Sequence, residues 1–294
     1  MSMRKQFVTT TEAILAEDKK VVLLLGDIGV FGFRKSFESF PSRVYNIGIL
    51  EQATIGTAAG LSMSGLIPIV HTIAPFIVER AFEQLKDDFA FQKLGGNFVS
   101  VGASYDYAAL GATHHCPGDV GELKNIPGME IVVPGHSGEY DELFREAYAN
   151  GNPTYFRLSE RENAEKYPVK FGKAHVIKKG KKATVIAVGP ILSRVIEACQ
   201  KEDVTILYYT TITPFDSETL KKNCPSGKIL LCEPYYSGAL AWDVMNTFSG
   251  KPITLEFAGM PHEFLSHYGK DSEHDEYLGM TPKGIYKHLK KLIK

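Results

Sequence analysis

Two carboxylates stand where a parallel sheet would present them to a ligand. Asp27 follows the apolar run VVLLLG at 21–26, and Glu51 follows YNIGIL at 45–50. Ligands of open parallel sheets sit beyond the carboxyl ends of the strands, so both residues are candidates for acid–base or cofactor chemistry. Each also has a plain structural use. A glutamate opening a helix complements the helix dipole and caps the first turn, and an aspartate after a strand can cap a turn. Position alone leaves both readings open. A third candidate is the cluster His114, His115, Cys116 and Asp119. Adjacent histidines rarely direct both rings to one ion, and no fourth ligand stands at a suitable spacing, so no metal ligand is assigned. The four cysteines, Cys116, Cys199, Cys224 and Cys232, form no CxxC pair and suggest neither a disulfide framework nor a zinc site.

The elements that would position these residues alternate along the chain. A helix is expected over residues 5–17, then short apolar strands at 21–26, 44–49, 67–73, 97–104, 130–135 and 154–159. Between them lie a small-residue helix from Glu51, an amphipathic helix over 76–92, and a helix with a Ser start and a Gly stop over 137–151. Residues 161–172 are polar, contain Pro168 and read as a linker. Beyond it the alternation restarts and ends in a helix at about 281–293. Strands alternating with helices imply parallel sheets covered on both faces. The expectation is an α/β protein of two three-layer α/β/α domains, residues 1–160 and 173–294.

Bulk properties remove several function classes. The formal net charge of -1 leaves no basic excess for nucleic acid or an acidic membrane surface. No run approaches the roughly 18 apolar residues of a membrane span, and the N-terminal residues turn charged before a signal core could form. A cytoplasmic location is the default expectation.

The string around Glu51, YNIGILEQATIGTAAGLSMSGLIPIV, resembles the pyrimidine-binding segment of the transketolase superfamily. The shared pattern is a strand, then G-I-x-E-Q/H, a small-residue helix, and G-x-x-P. Here it reads Gly48-Ile49-Leu50-Glu51-Gln52, with Gly60, Gly65 and Pro68 following. The resemblance extends over nearly the whole chain. LLGDIG at 24–29 is similar to the family's strand-end Ala-Asp-Leu, with Asp27 and Ile28 in the cofactor-adjacent places. PFIVERAFEQLKDDFAFQ resembles the helix following an aromatic cofactor contact, here Phe76. CEPYYSGALAWDV and residues 259–293 resemble the family's C-terminal domain.

The resemblance implies thiamine diphosphate as cofactor. Its own 4′-amino group takes the thiazolium C2 proton as the imino tautomer, which a carboxyl on N1′ stabilises. Glu51 would supply that carboxyl from an apolar slot. The hard chemistry belongs to the cofactor, and the protein orients it. His114 matches a family histidine placed near the substrate's reacting oxygen. The family marks diphosphate and Mg²⁺ binding with G-D-G and a later Asn. Gly26-Asp27-Ile28 and Gly118-Asp119-Val120 lack the final Gly and the spaced Asn. The resemblance therefore implies the C-terminal half of a split enzyme. An N-terminal-half subunit would carry the G-D-G…N domain with the Mg²⁺ ligands, in an α2β2 heterotetramer.

The substrate side departs from the pattern. The family's T-H-D-S-x-x-x-G-E-D-G-P-T-H-Q corresponds to SYDYAALGATHHC at 104–116, where Tyr105 replaces the first histidine and the acidic loop shortens to Gly111-Ala112. Of the phosphate-binding set, Arg4 matches one arginine by its distance from Asp27. The serine position falls on Phe31, and the arginine after Leu-Ser falls on Glu160, leaving Arg157 and Arg161 as near neighbours. Arg4, Tyr105, His114 and Arg157 are the expected substrate-side residues. The expected activity is transfer of a two-carbon ketol or acyl unit between a ketose or 2-oxo donor and an aldehyde or ketone acceptor, on a non-standard sugar. The alternatives are the β subunit of a 2-oxoacid dehydrogenase-type E1 decarboxylase and a non-catalytic regulatory paralogue.

Overall fold

The computed structural model describes residues 1–294. The first sheet is built from β1 (Val21–Leu25), β2 (Val44–Asn46), β3 (Ile67–Ile73), β4 (Gly96–Val101), β5 (Glu130–Val132) and β6 (Pro153–Arg157). These six are parallel, in the order β5-β6-β4-β3-β1-β2. Period-two alternation sends Val21, Leu23 and Leu25 to one face and Val22 and Leu24 to the other. Phe7, Ile14 and Leu15 of the helix Met3–Glu17 and Tyr140, Leu143 and Phe144 of the helix Ser137–Ala147 cover the first face. Ile55, Ala58 and Ala59 of the helix Glu51–Met63 cover the second, together with Leu85 and Phe89. A strand covered on both faces must be apolar throughout, which is why VVLLL carries no polar residue.

The second sheet contains β7 (His175–Lys178), β8 (Thr184–Val188), β9 (Thr205–Tyr209), β11 (Lys228–Tyr236) and β12 (Thr254–Met260), in the order β12-β11-β8-β9-β7. The three-residue strand β10 (Thr211–Thr213) leaves this sheet one residue after β9. It pairs antiparallel with β5 at the edge of the first sheet. One apolar cluster accordingly runs through both halves, joining Val22 and Phe98 to Leu207, Tyr209 and Ile212.

Three local expectations change. The amphipathic helix over 76–92 is broken. It forms a single turn at Ala74–Ile77, three helical residues at Phe82–Gln84 and a π-helix at Leu85–Ala90. Pro75 sits in the first turn, where its missing N–H costs nothing, and the next turn widens so that the Arg80 N–H reaches the Pro75 carbonyl at 3.1 Å. The helix expected over 137–151 starts at Ser137 as read but ends at Ala147, and its cap is His136, whose Nδ1 accepts from the Gly138 N–H at 3.1 Å. A helix at Asp271–Leu278 appears where the polar sequence showed no apolar period. No helix is long and apolar enough to cross a membrane.

Candidate active site

The carboxyl ends of β1 and β2 are tied together by Asn46. Its Oδ1 accepts from the Asp27 N–H (3.0 Å) and the Gly48 N–H (3.1 Å), and its Nδ2 donates to Asp27 Oδ1 (3.2 Å). Asp27 takes a left-handed conformation at φ 67°, which Asp tolerates better than most residues. Gly48, at φ 83°, turns the chain into the helix that Glu51 opens. Sequence reasoning passed over Asn46, although an Asn two residues before a glycine is a turn signal. Ile28 is half-buried beside Asp27 and packs toward the Phe7 face of the core.

Glu51 is 3% exposed. Arg80 donates to its Oε2 at 2.7 Å, while Oε1 is buried with no partner. The expected apolar slot therefore contains a guanidinium. The widened turn after Pro75 places Arg80 over the Phe76 ring, 4.3 Å from its centroid. Phe76 in turn meets the His114 ring edge to face at 5.5 Å and 70°. Glu51, Arg80, Phe76 and His114 thus form one continuous constellation drawn from three segments. A buried carboxylate oxygen without a donor is costly, and such an atom beside a half-exposed aromatic ring suits a flat heterocycle carrying a hydrogen-bonding edge. Arg80 escaped sequence reasoning because its partner lies 29 residues away.

His114 stands on a loop pinched at its base, where the Cys116 N–H donates to the Ser104 carbonyl at 2.8 Å. The Thr113 hydroxyl lies 3.0 Å from His114 Nδ1. Tyr105 and Arg157, expected on the substrate side, do not reach this face. Arg157 is 1% exposed. Its Nε donates to Asp119 Oδ2 and its Nη2 to Ser104 Oγ, both at 2.7 Å. Tyr105 is buried and donates to Asp275 Oδ1 at 2.7 Å. Arg161 and Arg194 are also held by Asp275. Arg4 is half-buried on the first helix, close enough to His71 and Tyr107 for its charge to act on both.

Residues 1–165 match the family described as transketolase, pyrimidine binding domain. The chain belongs to this transketolase family. It is the C-terminal half of a transketolase-like enzyme, a pyrimidine-binding part followed by a second α/β domain. It is 38% identical to an uncharacterized 33.6 kDa protein in the fasciation locus of Rhodococcoides fascians, over 95% of this chain and 91% of that one. It is 29% identical to one of the subunits of the apulose-4-phosphate transketolase of Phocaeicola vulgatus, over 93% and 95% of the two chains. A solved split-gene transketolase, described as an inactive beta4 tetramer, superposes with a TM-score of 0.88, covering 100% of this chain and 98% of the other at 24% identity.

One buried group in this transketolase half predicts a pH dependence. His71 is fully buried on β3, with Nδ1 2.8 Å from the Val99 carbonyl and its ring against Phe7. Burial pushes it down from 6.5 to about 4, against the Val99 hydrogen bond and aided by the Arg4 charge. The unfolded chain therefore takes up this proton first. The stability from neutral His71 is complete above about pH 6.5 and is lost as pH falls toward 4, by roughly 3 kcal/mol at the limit. Asp106 acts the other way. Burial raises it to about 6, so the folded chain takes up that proton first and gains stability over the same range. His71→Asn is expected to lose less stability than the parent protein between pH 7 and pH 5, read from urea midpoints. Equal losses would show that His71 does not titrate in this way.

Proposed function

We propose that this chain is the pyrimidine-binding subunit of a two-chain, thiamine-diphosphate-dependent transferase of the transketolase type. It would move a two-carbon ketol or acyl unit between a ketose or 2-oxo donor and an aldehyde or ketone acceptor. The observation that carries the reading is Glu51 Oε1, a buried acceptor with no protein partner, beside the half-exposed Phe76 ring. When bound, the cofactor supplies a nucleophilic carbon at its thiazolium C2. Glu51 holds a proton at Oε1 for the pyrimidine N1′, and Arg80 fixes the carboxyl through Oε2. Phe76 gives the pyrimidine an apolar face and screens it from water. His114, in contact with Phe76, exchanges a proton with the substrate oxygen. Asp27 and Ile28, at the end of β1, would border the cofactor. In this reading the Mg²⁺ and the diphosphate are held by the partner chain's G-D-G…N domain.

The ligand side favours substrates without a phosphate clamp. Arg157 is engaged by Asp119, and Arg161 and Arg194 are engaged by Asp275, which leaves Arg4 as the one arginine of the expected set without such a carboxylate. Efficient transfer from xylulose 5-phosphate to ribose 5-phosphate would overturn this point. Donor choice separates the E1-type alternative, because a 2-oxo acid donor releases CO₂ and a ketose does not.

Beside Glu51, Ile49 and Leu50 are 66% and 58% exposed, an apolar rim suited to a partner subunit. The test is reconstitution with a G-D-G…N subunit in an α2β2 assembly. Calorimetry is expected to show no saturable cofactor binding to this chain alone and micromolar binding to the complex. Tight binding by the isolated chain would refute the division of the site.

A further inference from the structure

Of the contacts that the second domain makes with the loop carrying His114, three bear on how that residue is held. Tyr105, at its start, donates to Asp275 Oδ1 at 2.7 Å. The His115 ring lies 5.8 Å from that of the fully buried His274. The ring of Tyr268 lies against Gly111, so close that a Cβ there would sit 2.6 Å from Cε1. Gly111 is also the residue whose carbonyl accepts the His114 N–H at 3.0 Å, so Tyr268 presses on the turn that presents His114. Gly111 adopts φ 73°, which together with this contact leaves no room for a side chain.

Asp275 is itself rigidly held. Arg194 donates to both of its oxygens, at 3.0 and 2.8 Å, and Arg161 donates to Oδ1 at 2.7 Å. Burial alone would raise this carboxyl, but the two arginines and Tyr105 hold it below its usual value, so it is a fixed acceptor for Tyr105. Beside this loop lies a cavity of about 330 Å³, lined by Ala112, His115, Phe264 and Leu265 together with Glu79, Glu122 and Glu263. No Lys or Arg lines it. A volume of this order is typical of a small-molecule site. Tyr268 is 71% exposed and so is not committed to core packing.

We propose that Asp275 and Tyr268 are positioning residues for His114, so that the second domain takes part in setting the substrate site. The proposal rests on the role given to His114 above. A misplacement near 1 Å can cost about 100-fold in rate, and the Tyr105–Asp275 bond and the Tyr268 wedge oppose such drift from the second domain, as the Asp106 bonds to Ser159 and Glu160 do from the first.

The experiment compares the reconstituted complex with Tyr105→Phe, Asp275→Asn, Tyr268→Ala and Tyr268→Phe, using D-xylulose as donor and glycolaldehyde as acceptor. Tyr105→Phe and Asp275→Asn are expected to lower kcat about tenfold or more, with cofactor affinity unchanged and the double variant no worse than either single one. Tyr268→Phe should keep the activity that Tyr268→Ala loses. In the full chain alone, amide exchange across residues 105–115 should rise in Asp275→Asn while β4 and β6 keep their protection. Rates within twofold of the parent, or loss of cofactor affinity alongside kcat, would overturn the proposal. So would unchanged exchange in the loop, which decides the matter even for a complex that turns over neither sugar. Activity surviving Glu51→Gln would instead count against the cofactor reading and leave the loop result standing.

Discussion

Glu51→Gln in the reconstituted complex is expected to lower kcat by about 10²–10⁴-fold, the range for removing a positioned acid–base group. The amide keeps the size of the side chain, and its oxygen can still accept from Arg80. What it loses is the ability to exchange a proton at the buried position of Oε1. The fold should survive, because Arg80 is partly exposed and water can solvate it if its partner weakens. Steady-state rates, set beside far-UV circular dichroism and cofactor titration, separate lost chemistry from lost structure. Full activity in this variant would favour the non-catalytic paralogue, which has no use for a carboxyl at this place.

Asp119→Ala should produce the largest loss of stability. Asp119 is fully buried and accepts from Arg157 Nε and from the Tyr155 hydroxyl. Burial opposes the charge on Arg157, but the Asp119 carboxylate outweighs it and holds the guanidinium firmly protonated. Removing the acid strands a positive charge in the interior at a cost of about 3–5 kcal/mol. Whole domains are stable by about 5–15 kcal/mol, so the variant would approach the limit of folding. Urea denaturation read by tryptophan fluorescence at Trp242 and by circular dichroism would measure it. A change under about 1 kcal/mol would mean that water or a neighbouring carboxylate replaces Asp119. Replacing both Asp119 and Arg157 with apolar residues should be milder than Asp119→Ala alone, because no charge is left behind.

The residues differ in how far their roles could be read in advance. The two-sheet α/β architecture was legible because strands covered on both faces must be continuously apolar, and VVLLL and IPIVHTI are nearly so. That Glu51 opens a small-residue helix after a strand and a glycine turn was legible in the spacing of those elements. Asn46 and the widened turn after Pro75 are local, yet they leave only faint marks in sequence. The pairings of Arg80, Asp119 and Asp275 were not legible. Their partners lie 29, 38 and 170 residues away, and no periodicity connects such pairs. Arg157 shows the consequence of that gap. Near a family arginine it suggested a phosphate ligand, whereas its partner is a carboxylate of the same chain. The helix Asp271–Leu278 was missed because it buries mainly His274 and Asp275, polar side chains that answer to the loop across the interface rather than to an apolar stripe.

The strand β10 has a consequence for how the chain is made. On the ribosome, β1 to β6 emerge and can pair, but β5 keeps an open edge until Thr211–Thr213 arrive. That wait spans roughly 80 residues, or about 4–16 s at common rates of synthesis. An unpaired edge is the part of a sheet most prone to join a neighbouring chain. The nascent first half should therefore need a chaperone, or dilute polysomes, through that interval. A gene cut between the two sheets would make the exposure permanent.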